Sequence, residues 1–316
     1  IVLRWGCCCG GRPVRRKKMN FLGFGNSASF VFKLTSSVKD RPRKSVRRSG
    51  GETEDLVIFL GDEPVRGEVT VVPKRGKVDH IGIKIELVGE IELAYDRGNA
   101  MEFTSMVREL EAPGTLLHEK TYAFDFSNVD KPYESYNGIS AKVRYFLRAT
   151  VSKNYNSTST KEQEFWVQKL QPEPEVNNPI KMEVGIDGCL HIEFEYERSK
   201  YALTDAVVGK IYFMLTRIKI KYMELCIVRK EKTGAGENST TESDTITKFE
   251  VMDGCPVRGE HIPIRMFLSD SNLSPTYENV NNLLSVRYYI NMVLVDVDDR
   301  RYFKSSELTL HRREVG

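Results

Sequence analysis

Apolar and polar residues alternate with a period of two along most of this chain, the signature of strands that bury one face. Lys84-Ile85-Glu86-Leu87-Val88 is the clearest stretch. In the first half, runs of this kind occupy 30–34, 56–60, 67–72, 81–93, 121–126, 141–151 and 164–169. Turn residues separate them: Lys74-Arg75-Gly76, Asp96-Arg97-Gly98-Asn99 and Ala112-Pro113-Gly114. Two segments break the pattern. Residues 36–51 are basic, serine-rich and end in glycine, which predicts a mobile loop. Residues 101–110 place Phe103, Met106, Val107 and Leu110 on one helical face, which predicts a short helix.

Gln171–Pro179 (QPEPEVNNP) cannot sustain a ladder, because its prolines lack donors, and it reads as an exposed joint. Beyond it, strand-like runs resume at 182–186, 190–196, 206–215, 218–229, 245–251, 261–267, 285–295 and 307–311, with a glycine- and serine-rich loop predicted over 233–244. The halves also echo each other. Val65-Arg66-Gly67-Glu68 recurs as Val257-Arg258-Gly259-Glu260. Tyr136-Asn137-Gly138 followed by Val143-Arg144-Tyr145-Phe146-Leu147 is matched by Asn281-Asn282 followed by Val286-Arg287-Tyr288-Tyr289-Ile290, one sandwich length later. The pattern predicts an all-β chain of two tandem sandwiches: 19–170, a linker at 171–179, and 180–316.

Residues 1–18 differ in character. They carry six cations and no acid, so the formal charge of +3 leaves 3 − 6 = −3 for the remainder. A near-neutral body with interspersed signs lacks the footprint of a nucleic-acid binder. Three of the six cysteines stand in this piece as Cys7-Cys8-Cys9, and Cys189, Cys226 and Cys255 are scattered singly. That is neither a disulfide framework nor a zinc site, and it suits a reducing compartment. Residues 1–18 read as an extension, disordered or not native, ahead of a start at Met19. A targeting or lipidated peptide is the alternative. No stretch approaches the roughly 18 apolar residues of a membrane-spanning helix.

Catalytic patterns are sparse. His191, Glu193 and Glu195 share one face of a strand, which suggests either a metal site or a solvated face. Asp296, Asp298 and Asp299 lack the glycine of a calcium loop and read as a charged turn. Asn156, Asn238 and Asn272 match a glycosylation pattern that matters only in a secreted chain. Ser45 and Ser49 stand among arginines, as phosphorylation sites often do. No glycine pattern forms a phosphate cradle between strand and helix. Neither an enzyme nor a cofactor is expected.

Lys181-Met-Glu-Val-Gly-Ile186, Cys189-Leu-His-Ile-Glu-Phe-Glu-Tyr196, Ser199-Lys-Tyr201, Gly209-Lys-Ile-Tyr-Phe213, Met252-Asp-Gly254, Pro256-Val257 and Asp299-Arg-Arg-Tyr-Phe-Lys304 resemble the arrestin-like subunit of retromer, the vacuolar protein sorting 26 family. In the first half the resemblance runs through Lys131-Pro-Tyr-Glu-Ser-Tyr136, Arg144-Tyr145-Phe146 and Pro113-Gly114, and Met19-Asn-Phe-Leu-Gly resembles the family's start. Residues 36–51 depart from its pattern.

The resemblance implies two arrestin-like β-sandwiches and a non-catalytic role. It implies docking on an α-solenoid subunit (vacuolar protein sorting 35), an indirect link to a phosphoesterase-like subunit (vacuolar protein sorting 29), and work with sorting nexins on cytosolic tails of transmembrane cargo. The implied location is the cytoplasm and the cytosolic face of endosomes, with membrane association through partners. The matching solenoid-binding residues are Val251, Met252, Asp253 and Gly254, where two apolar side chains precede a tight turn. The matching cargo and sorting-nexin positions are Val184 and Phe303, expected on strands near the seam between the sandwiches. Two other readings are a stand-alone arrestin-domain adaptor and a carbohydrate-binding or hydrolytic sandwich.

Overall fold

A computed structural model describes residues 27–35, 41–48, 51–74, 76–96, 99–153 and 157–314. The extension 1–18, the start at Met19, Ser49 and Asn156 lie outside the described residues. The first half folds into β1 (Ala28–Thr35), β2 (Arg43–Arg47), β3 (Thr53–Leu60), β4 (Val65–Pro73), β5 (Val78–His80), β6 (Gly82–Leu93), β7 (Met101–Glu111), β8 (Gly114–Leu116), β9 (Lys120–Phe126), β10 (Tyr136–Asn137), β11 (Ala141–Ser152) and β12 (Thr158–Gln168). The second contains β13 (Ile180–Ile186), β14 (Leu190–Tyr196), β15 (Lys200–Ala202), β16 (Ala206–Thr216), β17 (Ile220–Thr233), β18 (Thr240–Asp253), β19 (His261–Phe267), β20 (Tyr277–Val280), β21 (Leu284–Asp296) and β22 (Arg301–His311). A single 3-10 turn, Gly236–Asn238, is the sole helical element among the described residues.

Sheets β1-β4-β9 and β2-β3-β12-β11-β6-β7 face each other in the first sandwich, and β13-β14-β16-β19 and β15-β22-β21-β17-β18 in the second. The alternation seen in the sequence builds the two cores. Val65, Val69, Val71, Ile83, Ile85 and Leu87 point into the first, and Ile192, Phe194, Ile211, Met223, Leu225 and Ile290 into the second.

The duplication is real, but one of its two sequence markers misaligns. In each half three residues of a strand pair in parallel near the end of a long strand: Ile58–Leu60 of β3 on Trp166–Gln168, and Lys200–Ala202 on Thr309–His311. In each half β10 or β20 folds back on its following long strand. Tyr145 and Tyr288 occupy the same place in these long strands. Each turns its hydroxyl to the upstream backbone, Tyr145 donating to Tyr133 O at 2.8 Å and Tyr288 accepting from Ser274 N at 3.1 Å. The Val65–Glu68 match fails, however. That segment is strand β4, whereas Val257–Glu260 is a loop with Gly259 at φ +82°. The structural counterpart of Gly67 is Gly209 on β16. At both, an added Cβ would collide with the neighbouring strand.

Three further expectations are corrected. Residues 101–110 form strand β7. Two β-bulges, at Phe103 and Leu110, shift the inward set to Phe103, Met106 and Leu110 and so imitate helical spacing. Within 36–51, Arg43–Arg47 is a strand paired to β3, and the cations that flank it meet acids, Arg41 pairing with Glu63 and Arg48 with Glu54 and Glu164. Val46 beneath them packs with Leu56, Ile58 and Trp166. Most of 233–244 is hairpin: β17 and β18 run to Thr233 and from Thr240, whose hydroxyls meet at 3.0 Å. Its polar composition reflects an edge strand solvated on both faces.

The two sandwiches meet over a seam that is polar at its centre. Glu231 of β17 is 1% exposed, and its carboxylate accepts hydrogen bonds from Tyr136 OH (2.6 Å), Ile139 N (2.9 and 3.0 Å) and Ser140 N (3.0 Å). Burial drives the Tyr136 phenol far above its ordinary range, with Glu231 adding to the effect. Gly138 is required here, because a Cβ would sit against both Glu231 carboxylate oxygens and the Tyr136 ring. Around this centre Tyr277 OH donates to Ser135 O (3.3 Å), Asn281 N donates to Tyr133 OH (3.2 Å), and Arg312 grips Glu134 with bonds of 2.7–3.1 Å. The linker is pinned as well, Gln171 N donating to Arg312 O at 2.7 Å and Asn177 accepting from Ser199 N and Lys200 N at 3.0 Å.

The seam predicts that Gly138→Ala lowers the melting temperature by several degrees. The lost carboxylate bonds correspond to about 2–3 kcal/mol. Gly61→Ala, where the added Cβ meets only ordinary contacts, should leave the melting temperature unchanged. Equal melting temperatures for both variants, read by scanning calorimetry, would refute this account of the seam.

Candidate partner-binding surfaces

Strand β17 runs from the seam at Glu231 to the opposite end of the second sandwich at Ile220. The nine residues from Glu231 back to Tyr222 span ~30 Å. At that distal end Tyr222 pairs with Asp253, and Ile220 with Asp296. The distal end is therefore built from the end of β18, the loop 254–260, the β13–β14 turn and the Asp296–Arg301 turn.

Val251 and Met252 lie at the end of edge strand β18. Met252 pairs with Met223 while Glu250 pairs with Glu224, so Val251 is the extra residue of a β-bulge. The bulge lets both neighbouring side chains lean on the second core, and each is half-buried there. Asp253 is exposed. Gly254 turns the chain at φ +96° and donates its N–H to Lys221 O at 2.7 Å, a conformation that favours glycine. Beyond it Val257 stands 72% exposed on a loop tied down by Glu260, which accepts from Val257 N at 2.8 Å. Val257 was missed as a surface candidate because its Val-Arg-Gly-Glu context read as a repeat marker. No local sequence signal announces its exposure.

Val184 sits midway along β13 opposite Ile192, half-buried against the core. Phe303 pairs with Val293 on the outer face of its sheet and is 77% exposed. The expectation that both lie near the seam is corrected: the strand of Phe303 reaches the seam only at Arg312, ~30 Å further on, and Val184 stands two residues before β13 enters the distal β13–β14 turn. β13 and β22 nevertheless approach each other across the flank of the sandwich. Among the described residues β13 pairs with β14 alone, and β15 covers only Thr309–His311 of β22. The outer edges of β13 and of residues 301–308 thus have no strand partner among the described residues, and such edges present main-chain donors and acceptors to an added strand.

The register joins the two surfaces. Tyr302, Leu294, Met223 and Met252 form one row across four adjacent strands. At ~4.8 Å per strand, Phe303 and the Val251–Met252 bulge stand ~15 Å apart on one sheet. Val297, 55% exposed in the Asp296–Arg301 turn, adds another apolar side chain to this end.

The catalytic and metal candidates resolve into ordinary contacts. His191 Nε2 lies 3.1 Å from Glu193 Oε1 on an exposed face, and Glu195 pairs with Lys181 at 3.0 Å. Asp296 closes its own turn, accepting from Asp298 N and Arg300 N at 2.9 Å and from Tyr302 OH at 3.0 Å. Among the described residues no three His, Cys, Asp or Glu side chains converge as metal ligands. Cys189, Cys226 and Cys255 are free thiols. No described helix is long and apolar enough to cross a membrane.

Comparison with known proteins places this architecture. The family model for vacuolar protein sorting-associated protein 26 matches residues 24–299. The chain is 52% identical over 301 residues to vacuolar protein sorting-associated protein 26 of Dictyostelium discoideum, covering 94% of this chain and 86% of that protein. It is 49% identical to protein 26B of Arabidopsis thaliana (93% and 98% covered) and 50% identical to protein 26B of Homo sapiens (93% and 88% covered). With the match running through both sandwiches and the seam, the chain belongs to the vacuolar protein sorting-associated protein 26 family.

Proposed function

We propose that this chain is the arrestin-like, non-catalytic subunit of a retromer cargo-selective complex. It docks on the α-solenoid subunit (vacuolar protein sorting 35) through Val251, Met252, Asp253 and Gly254. With sorting nexins it captures cytosolic tails of transmembrane cargo at Val184 and Phe303. Its place of work is the cytosolic face of endosomes, reached through partners, and its contact with the phosphoesterase-like subunit (vacuolar protein sorting 29) is indirect.

The observation that carries the reading is the distal end of the second sandwich. In a chain of this family, exposed apolar side chains gather there beside two unpaired strand edges. Apolar anchors supply affinity when a partner desolvates them, and a free edge supplies directional main-chain bonds. The polar seam at the other end leaves this surface unobstructed.

Two experiments test the assignment. Val251→Asp together with Met252→Asn should abolish co-purification with the solenoid subunit. Because both side chains also lean on the core, circular dichroism must show the variant folded. The exposed-loop variant Val257→Asp provides a second probe that leaves the core untouched and should weaken the same interaction. Undiminished co-purification of both would reject the docking surface. For cargo, Phe303→Ser changes an exposed side chain and should weaken binding of a cargo-tail peptide to the assembled complex by about tenfold, or ~1.4 kcal/mol. An unchanged dissociation constant would remove Phe303 from the cargo site.

A further inference from the structure

A second concave site lies at the seam, remote from the distal surfaces. Residues 44–47 of β2, residues 134–137 and Trp166 of the first sandwich face residues 203–204, Arg229, Ser269, 271–274 and Arg312 of the second across a cavity of about 380 Å³. That volume falls in the range of small-molecule sites, ~300–1,000 Å³.

Its walls are cationic. Lys44, Arg47, Arg229 and Arg312 line it against one carboxylate, Glu134. Glu134 is already committed: Arg312 holds it with three bonds and Lys169 N donates to it at 3.1 Å. Burial still pushes the Glu134 carboxyl up, with Arg312 opposing. Arg229 stands between Glu231 and Asp244, each at 3.3 Å. The other two cations form no ion pair among the described residues. Lys44 Nζ donates to the neutral amide oxygen of Asn272 at 3.4 Å and only its field reaches Glu134, and Arg47 is exposed at the rim. Trp166, 7% exposed, lines the same wall, and its indole Nε1 has no hydrogen-bond partner among the described residues. A buried donor without an acceptor is costly, and an anionic oxygen that reaches it satisfies it.

We propose that this cavity binds a phosphorylated small molecule, whose oxygens accept from Lys44, Arg47 and Trp166 Nε1 and bridge the two sandwiches. Phosphate suits the donor set better than a single carboxylate. It presents several oxygens and more than one charge to a guanidinium fork, an ammonium and an indole arriving from different elements. A free phosphorylated polyol and a phosphorylated lipid headgroup share this chemistry.

The full chain is titrated calorimetrically, at physiological salt, with pyrophosphate and with inositol hexakisphosphate. In parallel it is floated with phosphatidylcholine vesicles with and without phosphatidylinositol 4,5-bisphosphate. Expected is one saturable site with a rise in melting temperature. Lys44→Gln with Arg47→Gln should weaken it by about tenfold or more, and Trp166→Phe should weaken it while keeping the ring's apolar contacts. Arg43→Gln, an exposed cation of the same strand outside the cavity, should change nothing. Binding in solution without flotation assigns the site to a free phosphate compound; flotation without binding in solution assigns it to a lipid headgroup. Absence of both, or equal losses in Arg43→Gln and the cavity variants, would overturn the proposal.

Discussion

The structure depends on one carboxylate being received by backbone from the other half of the chain. Glu231 projects from β17 into the turn between β10 and β11, where Ile139 N, Ser140 N and Tyr136 OH close on it. A buried carboxylate without partners would cost several kcal/mol, so this contact is all or nothing. Apolar packing alone would let two convex sandwiches slide. A carboxylate with three donors fixed on a short turn permits one relative orientation. Gly138 is what allows the turn to come that close. Ile91, Leu93, Ala141 and Val143 of the first sandwich then join the second core, so apolar burial reinforces the geometry that the hydrogen bonds select.

Duplication explains why the distal end is open. In both halves the long strand preceding a sheet edge is covered by a parallel strand for only three residues, because the chain arriving there comes from a connection rather than a hairpin. In the first sandwich β2 extends the sheet beyond β3. Among the described residues β12 has no edge partner over 158–165 and β22 none over 301–308, so both copies leave this edge open. The second copy's edge is the one that carries an exposed aromatic side chain, Phe303.

Legibility in the sequence followed the regularity of the backbone. Leu190–Tyr196 and His261–Phe267 alternate strictly and were bounded correctly. β7 was misread because bulges at Phe103 and Leu110 change which residues face inward without leaving a glycine or proline to mark them. The first half of β22, Arg301–Ser306, escaped notice because an open edge need not be apolar, and Phe303 was found only through family resemblance. Val251 and Met252 owe their shared burial to another bulge, equally silent in the sequence. The seam cavity has no local signature at all, since Lys44, Trp166, Arg229 and Arg312 come from four separate segments.

The two proposed sites lie at opposite ends of the second sandwich. A partner docked at the distal end as proposed would act on a sheet whose other end is clamped by Glu231, so docking there need not reshape the sandwich. A ligand in the seam cavity touches both halves and favours the orientation that the seam already holds. Its effect is to add RT ln(1 + [L]/Kd) to the stability of that orientation, not to move the protein between shapes. Arg229 stands beside Glu231 while lining the site, so the clamp and the cavity adjoin, although the ligand's oxygens go to Lys44, Arg47 and Trp166. That adjacency makes the seam's rigidity, rather than the distal surface itself, the quantity through which a bound phosphate would reach a partner ~30 Å away.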